Sequence, residues 1–258
     1  MLFNEFGNKD KPTILLMHGM LQDWHCMYDF MHYLAEDYRL IIPAMNGMYE
    51  NSPQFQNFAN ECEEIEEYLI KNYKGHLLAV YGISQGATLM TELLARNKVN
   101  IDYAFLDGLY VAHQGKICSV LSYKMFKKAQ KNSGQFPKTM NIAMKLMGLT
   151  EEDYIMMKYI YWGVDDTSMY NNLIENYTYK VNPSISNTNT KVYLWCGSKE
   201  PYAKKSNNIL KQYLKFYKEE IWNGLGHGKM FYFKRKELCE KIKEILNKQK
   251  NQFEEPLS

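Results

Sequence analysis

Arginine is nearly missing from this chain. Of 31 basic residues only Arg39, Arg96 and Arg235 are arginines, and the other 28 are lysines spread among 29 acidic residues, for a net charge of +2. No clustered basic stripe forms, which excludes the usual electrostatic footprint of a nucleic-acid-binding surface. Cysteine is also scarce. Five residues (Cys26, Cys62, Cys118, Cys196, Cys239) make an odd number with no CxxC or Cys/His metal spacing. Reduced thiols in a reducing, cytoplasmic compartment are expected, and no metal site. The first residues, "MLFNEFGNKDKPT", lack a basic segment followed by a long apolar run, so no secretory signal is expected. No apolar stretch reaches the length of a bilayer span, and the expectation is a protein without a membrane partner. A glycine-rich dinucleotide loop is absent as well, so no cofactor is expected.

What is present is an ordinary globular composition, 46% hydrophobic and 23% charged over 258 residues. That length fits one large domain, or a core with an insertion. Short apolar runs at 13–17, 39–42, 77–81, 101–106, 192–196 and 219–222 each end at Gly, His-Gly, Pro or Asp-Gly, residues that stop a strand and open a turn. Between them the period changes. Phe55, Phe58, Cys62, Ile65 and Leu69 are three and four apart, predicting a surface helix whose acidic residues (Glu61, Glu63, Glu64, Glu66, Glu67) form a solvated face. Leu89, Met90, Leu93 and Leu94 predict a second helix, and Leu238, Ile242, Ile245 and Leu246 a last one over roughly 230–247. Strands alternating with helices predict an α/β fold with a mostly parallel central sheet flanked by helices.

One region breaks the alternation. Residues 110–182 offer helix-like pieces and no convincing strand, with capping sequences at "TEED" (150–153) and "DDTS" (165–168). They hold 7 of the 16 methionines and 8 of the 21 tyrosines, side chains suited to an adaptable apolar lining or to a small core of their own. The expected organisation is a core of residues 1–110 and 183–258 with a helical cap at 111–182.

The chemistry gathers around "LLAVYGISQGATLM", residues 77–90. A serine hydroxyl is a poor nucleophile at neutral pH and needs a base beside it. A tight strand-to-helix turn at Gly82-Ile83-Ser84-Gln85-Gly86 needs small flanking residues. It exposes the Ser84 hydroxyl and aims the backbone N–H of Gln85, at a helix N-terminus, toward any negative oxygen beside it.

In these residues the sequence resembles the α/β-hydrolase fold family. "ILLMHGM" at 14–20 is similar to the strand and His-Gly loop that supply the family's oxyanion site. The resemblance implies Met20 N–H as the second oxyanion donor beside Gln85, with His18 as a loop-fixing residue. "VYLWCGSKEPY" at 192–202 looks like the late strand whose turn carries the acid, here Glu200. "WNGLGHGKMF" at 222–231 puts His227 where the family keeps its base. The order Ser84, Glu200, His227 matches the nucleophile–acid–base order of the fold. Asp107, ending "IDYAFLDG", is the alternative acid. His25, His32, His76 and His113 have no partner pattern. The family's Asp-x-x-Gly-x-Gly-x-Ser stretch, whose loop usually shapes the core or pocket floor, is reduced in "PAMNGMYENS" (43–52) to Gly47 and Ser52.

The resemblance implies a serine hydrolase acting on small to medium carboxylic esters or thioesters, a small-molecule acyl substrate. Acyl transfer, C–C hydrolysis and peptidase chemistry occur on the same scaffold, as do receptor-like binding proteins. A carboxylate-nucleophile hydrolase is disfavoured by Ser84. Homo-oligomerisation stays open.

Overall fold

The computed structural model describes residues 1–132 and 158–253. The expected "TEED" cap at 150–153 lies outside them. The described residues contain a seven-stranded sheet in the order β1-β3-β2-β4-β5-β6-β7. The strands are β1 (Leu2–Phe6), β2 (Thr13–Met17), β3 (Arg39–Ala44), β4 (His76–Ile83), β5 (Asn100–Asp107), β6 (Lys191–Gly197) and β7 (Tyr217–Trp222). All neighbours pair in parallel except β1, which runs antiparallel to β3. Parallel strands covered on both faces read as continuous apolar runs, and every residue of β2, "TILLM", is buried.

Side chains of successive strand residues leave opposite faces, and the core divides accordingly. Leu15, Met17, Ile41, Val80, Ala104, Leu106 and Leu194 form one face. It is packed by α2 (Phe58–Tyr73) and α3 (Gln85–Arg96). Ile14, Leu16, Leu40, Ala79, Tyr81, Phe105 and Trp195 form the other. Against it lie α1 (Phe30–Leu34) and the C-terminal helices. Between β5 and β6 the chain forms α4 (Lys116–Lys131) and α5 (Asp166–Thr178). Asp165, in the expected "DDTS" cap, accepts a hydrogen bond from the Ser168 N–H at 3.0 Å. The cap opens α5 as the sequence predicts.

Three elements differ from the sequence reading. β1 escapes it because five residues on a half-exposed edge carry little apolar pattern. α6 (Pro201–Leu210) escapes because its buried stripe contains Ser206 and Asn207 as well as Ala203 and Leu210. The expected last helix is two, α7 (Lys229–Phe233) and α8 (Arg235–Phe253), interrupted at Lys234.

The acidic face of α2 also needs correction. Glu61 and Glu66 are buried beside the apolar stripe rather than solvated. Glu66 is neutralised by Arg96, whose Nε and Nη2 donate at 2.6 and 2.9 Å, a forked geometry suited to a carboxylate. Glu61 has no cation of that kind. Its Oε2 accepts the Asn46 N–H at 3.0 Å while Oε1 has no partner. Burial pushes its carboxyl up to about 7.

Between the ordinary value of 4.5 and about 7, the folded chain therefore holds a proton at Glu61 that the unfolded chain has released. Stability contributed by this group is present at low pH and is lost as pH rises through that window. Urea unfolding at pH 5 and pH 8 checks this. Glu61→Gln has no such proton to lose, so its stability is expected to fall less than the wild type's between the two. Equal falls would contradict the assignment.

Candidate active site

The site is built at the C-terminal ends of the parallel strands, beginning with the turn from β4 to α3. Ser84 sits there at φ 56° and ψ −119°, a conformation that a side-chain-bearing residue adopts only under constraint. The constraint is steric. A Cβ on Gly86 would lie 2.4 Å from the Met17 carbonyl oxygen and 2.5 Å from that of His18. A Cβ on Gly82 would lie 2.5 Å from the Gly86 carbonyl group. The two glycines let α3 begin directly against the end of β2, and Ser84 is left partly exposed at the bend. Its N–H donates to the Asp107 carbonyl at 2.8 Å, tying the bend to β5.

The loop after β2 carries Met20. His18 is fully buried, and its imidazole holds the loop from both nitrogens. Nδ1 is 3.0 Å from the Gly19 carbonyl, and the Met45 N–H donates to Nε2 at 3.2 Å. These contacts require the tautomer with its proton on Nδ1. Burial pushes the imidazole down to about 4, so it stays neutral. This is the loop-fixing role expected of His18. The Gly19 N–H donates to Gln22 Oε1 at 3.1 Å. Residues before α5 add an antiparallel bridge: Tyr161 N–H donates to the Leu21 carbonyl at 2.8 Å and Asp23 N–H to that of Tyr159 at 2.7 Å.

Glu200 immediately precedes α6, and His227 lies in the loop between β7 and α7. The structure joins them: His227 Nδ1 is 2.6 Å from Glu200 Oε2. The other carboxylate oxygen accepts the Gly197 N–H at 2.5 Å, which fixes the rotamer. Glu200 is 6% exposed and the His227 side chain 25%, so the acid is sheltered and the imidazole reaches the surface.

Asp107 stands behind this pair. It is the last residue of β5, on the face shared with Tyr81 and Phe105, and its Oδ2 accepts the Tyr81 hydroxyl at 2.9 Å. The next residue, Gly108, lies against the ring: an added Cβ there would be 2.9 Å from His227 Nδ1. Burial, and then the charge of Glu200, push the Asp107 carboxyl up to about 7. Of the two acids that the sequence offers, Glu200 is the one hydrogen-bonded to His227.

A polar stripe on α5 has no counterpart in the sequence reading. Ser168, Asn172 and Asn176 are four apart and buried, on one helix face. Ser168 Oγ accepts the Phe55 N–H at 3.0 Å. The amides of Asn172 and Gln85 pair reciprocally, at 3.0 and 3.1 Å. Asn176 Nδ2 donates to the Met20 sulfur at 3.5 Å. A search for apolar periodicity passes over such a stripe. The signal that finds it is the i, i+4, i+8 spacing of small polar residues behind an Asp cap.

The five cysteines are unpaired thiols. Among the described residues no three His, Cys, Asp or Glu side chains are grouped to hold a metal ion, and no helix is long and apolar enough to cross a membrane. Because backbone carbonyls cannot move aside cheaply, Gly86→Ala is expected to cost about 1–3 kcal/mol of stability in urea unfolding. An unchanged midpoint would contradict the close approach of α3 to β2.

No protein-family model matches the chain. A kynurenine formamidase from Debaryomyces hansenii is 34% identical over 109 residues, a segment covering 38% of this chain and 36% of that relative's own length. Solved structures match over nearly the whole chain. An alpha/beta hydrolase family protein from Desulfitobacterium hafniense superposes with a TM-score of 0.82 at 20% identity, covering 95% of this chain and 100% of that one. An esterase from Exiguobacterium antarcticum gives a TM-score of 0.74 at 14% identity, covering 95% and 94%. With a mostly parallel seven-stranded sheet, helices on both faces and these structural neighbours, the chain has the α/β-hydrolase fold.

Proposed function

We propose that the protein is a serine hydrolase in which Ser84, His227 and Glu200 act together on small to medium carboxylic esters or thioesters. The observation that carries this reading is the 2.6 Å contact between His227 Nδ1 and Glu200, on the same end of the sheet as the constrained Ser84 turn. With Nδ1 engaged by the carboxylate, Nε2 is the nitrogen that takes the Ser84 proton as the hydroxyl attacks the acyl carbon. Glu200 keeps the imidazole in that tautomer and stabilises its protonated form. The tetrahedral oxyanion is held by the backbone N–H groups of Met20 and Gln85, each worth roughly 10²–10³ in rate. His227 returns the proton to the leaving group, and water releases the acyl group from Ser84. In this reading the described residues 111–132 and 158–182 belong to an insertion beside the site, and no metal or cofactor takes part.

The partial match to a formamidase favours a second acyl class, a formamide whose leaving group is an amine. The same residues serve both classes, since the proton delivered by His227 can go to oxygen, sulfur or nitrogen. A substrate panel of esters, thioesters and an aryl formamide separates them.

Intact mass after treatment with a fluorophosphonate tests the nucleophile. One adduct is expected on the wild type and none on Ser84→Ala. A well-folded wild type that takes no adduct, or a variant that still does, would overturn the assignment. For the acid, Glu200→Gln is expected to lower ester turnover more than Asp107→Asn. The reverse order would transfer the role to Asp107.

A further inference from the structure

We propose that α5 sets the geometry of the oxyanion site, with Asn172 acting as a positioning residue through Gln85 and Asn176 through Met20. The inference rests on the serine-hydrolase reading and goes beyond it, because neither asparagine is needed for nucleophile, acid or base. Met20 and Gln85 lie in different elements, the loop after β2 and the first turn of α3. Their backbone N–H groups have to converge on one oxygen. α5 touches both side chains, from positions four apart on one face.

The Gln85 contact is complete. Nε2 donates to Asn172 Oδ1 at 3.0 Å and to the Asn172 carbonyl at 3.3 Å, and Asn172 Nδ2 donates back to Gln85 Oε1 at 3.1 Å. Both residues are 0% exposed, so the pair is shielded from bulk water. Ser84 is held at positive φ, and the peptide between Ser84 and Gln85 would relieve that strain by rotating. Rotation would swing the Gln85 N–H away from the oxyanion. An amide clamp on the Gln85 side chain resists it.

The Asn176 contact has a different character. Its amide nitrogen reaches the Met20 sulfur, while its Oδ1 is buried with no partner. A buried acceptor left unpaired lowers stability, so stability does not account for asparagine at this position. Holding the Met20 side chain does. The bridge from Tyr159 and Tyr161 to Leu21 and Asp23 holds the same loop from its other end.

The experiment measures steady-state hydrolysis of p-nitrophenyl butyrate and urea stability for Gln85→Met, Asn172→Leu and the double variant. Each single variant strands a buried amide and is expected to lose both stability and activity. Replacing both partners removes the stranded groups, so the double variant is expected to regain most of the stability. If the pair positions the oxyanion donor, the double variant stays roughly tenfold to a hundredfold below wild type in kcat, the scale of a misplaced catalytic group. Its KM is expected to stay within about twofold, since the lost contact is made to the transition state. A double variant with restored stability and near-wild-type kcat would overturn the proposal, as the pair would then serve packing alone. Asn176→Leu supplies an independent arm: stability equal to or above wild type with reduced kcat is expected, and unchanged kcat would remove Asn176 from the proposal. Failure of the underlying reading is seen separately, as a wild type that neither turns over the ester nor takes a fluorophosphonate.

Discussion

The first turn of α3 rests on the last carbonyls of β2, and much else depends on that contact. It is possible only without side chains at Gly82 and Gly86, since either Cβ would fall within 2.5 Å of backbone. Once the two segments are pressed together, Ser84 has no choice but positive φ, and the loop after β2 is carried alongside the turn. Parallel pairing then brings the other strand ends to the same rim. Ile83 is opposite Asp107, and Asp107 opposite Trp195, so the loops after β4, β5 and β6 open side by side. The placement of Glu200 and His227 is a consequence of that register together with the pairing of Gly197 and Trp222.

Around His227 the charge is arranged in depth. Glu200 faces the imidazole directly, while Asp107 is buried at the end of β5 and accepts the Tyr81 hydroxyl. Two carboxylates this close to one imidazole cannot both ionise without cost in a buried setting, and the deeper one bears it: burial and the charge of Glu200 raise Asp107 to about 7. The fold thus gives the two acids unequal surroundings. One is sheltered yet hydrogen-bonded to the ring, and the other is enclosed and directed at a phenol.

Six of the seven strands were legible in the sequence because a parallel sheet buried on both faces concentrates apolar residues into short runs that glycine, proline and aspartate terminate. The Ser84 turn was legible for a related reason: close backbone approach demands glycine at fixed offsets. His18 was read as a loop-fixing residue, and its two hydrogen bonds bear that out. What escaped the reading depends on partners distant in sequence. Glu61 looks solvated until the Asn46 loop covers it. Ser168, Asn172 and Asn176 look like any polar helix face until Phe55, Gln85 and Met20 arrive from elsewhere in the chain. β1 needs β3 to be a strand at all.

An apolar stripe would let α5 rotate or slide a little against its neighbours with small loss, because apolar contact has no direction. A polar seam does not tolerate this. Hydrogen bonds weaken steeply as their angles bend, and each residue step turns a helix by about 100°. A one-residue slip would therefore part Ser168, Asn172 and Asn176 from all three partners at once. The Asp165 cap fixes where that seam starts. With its first turn fixed there, α5 can present only one face to the core.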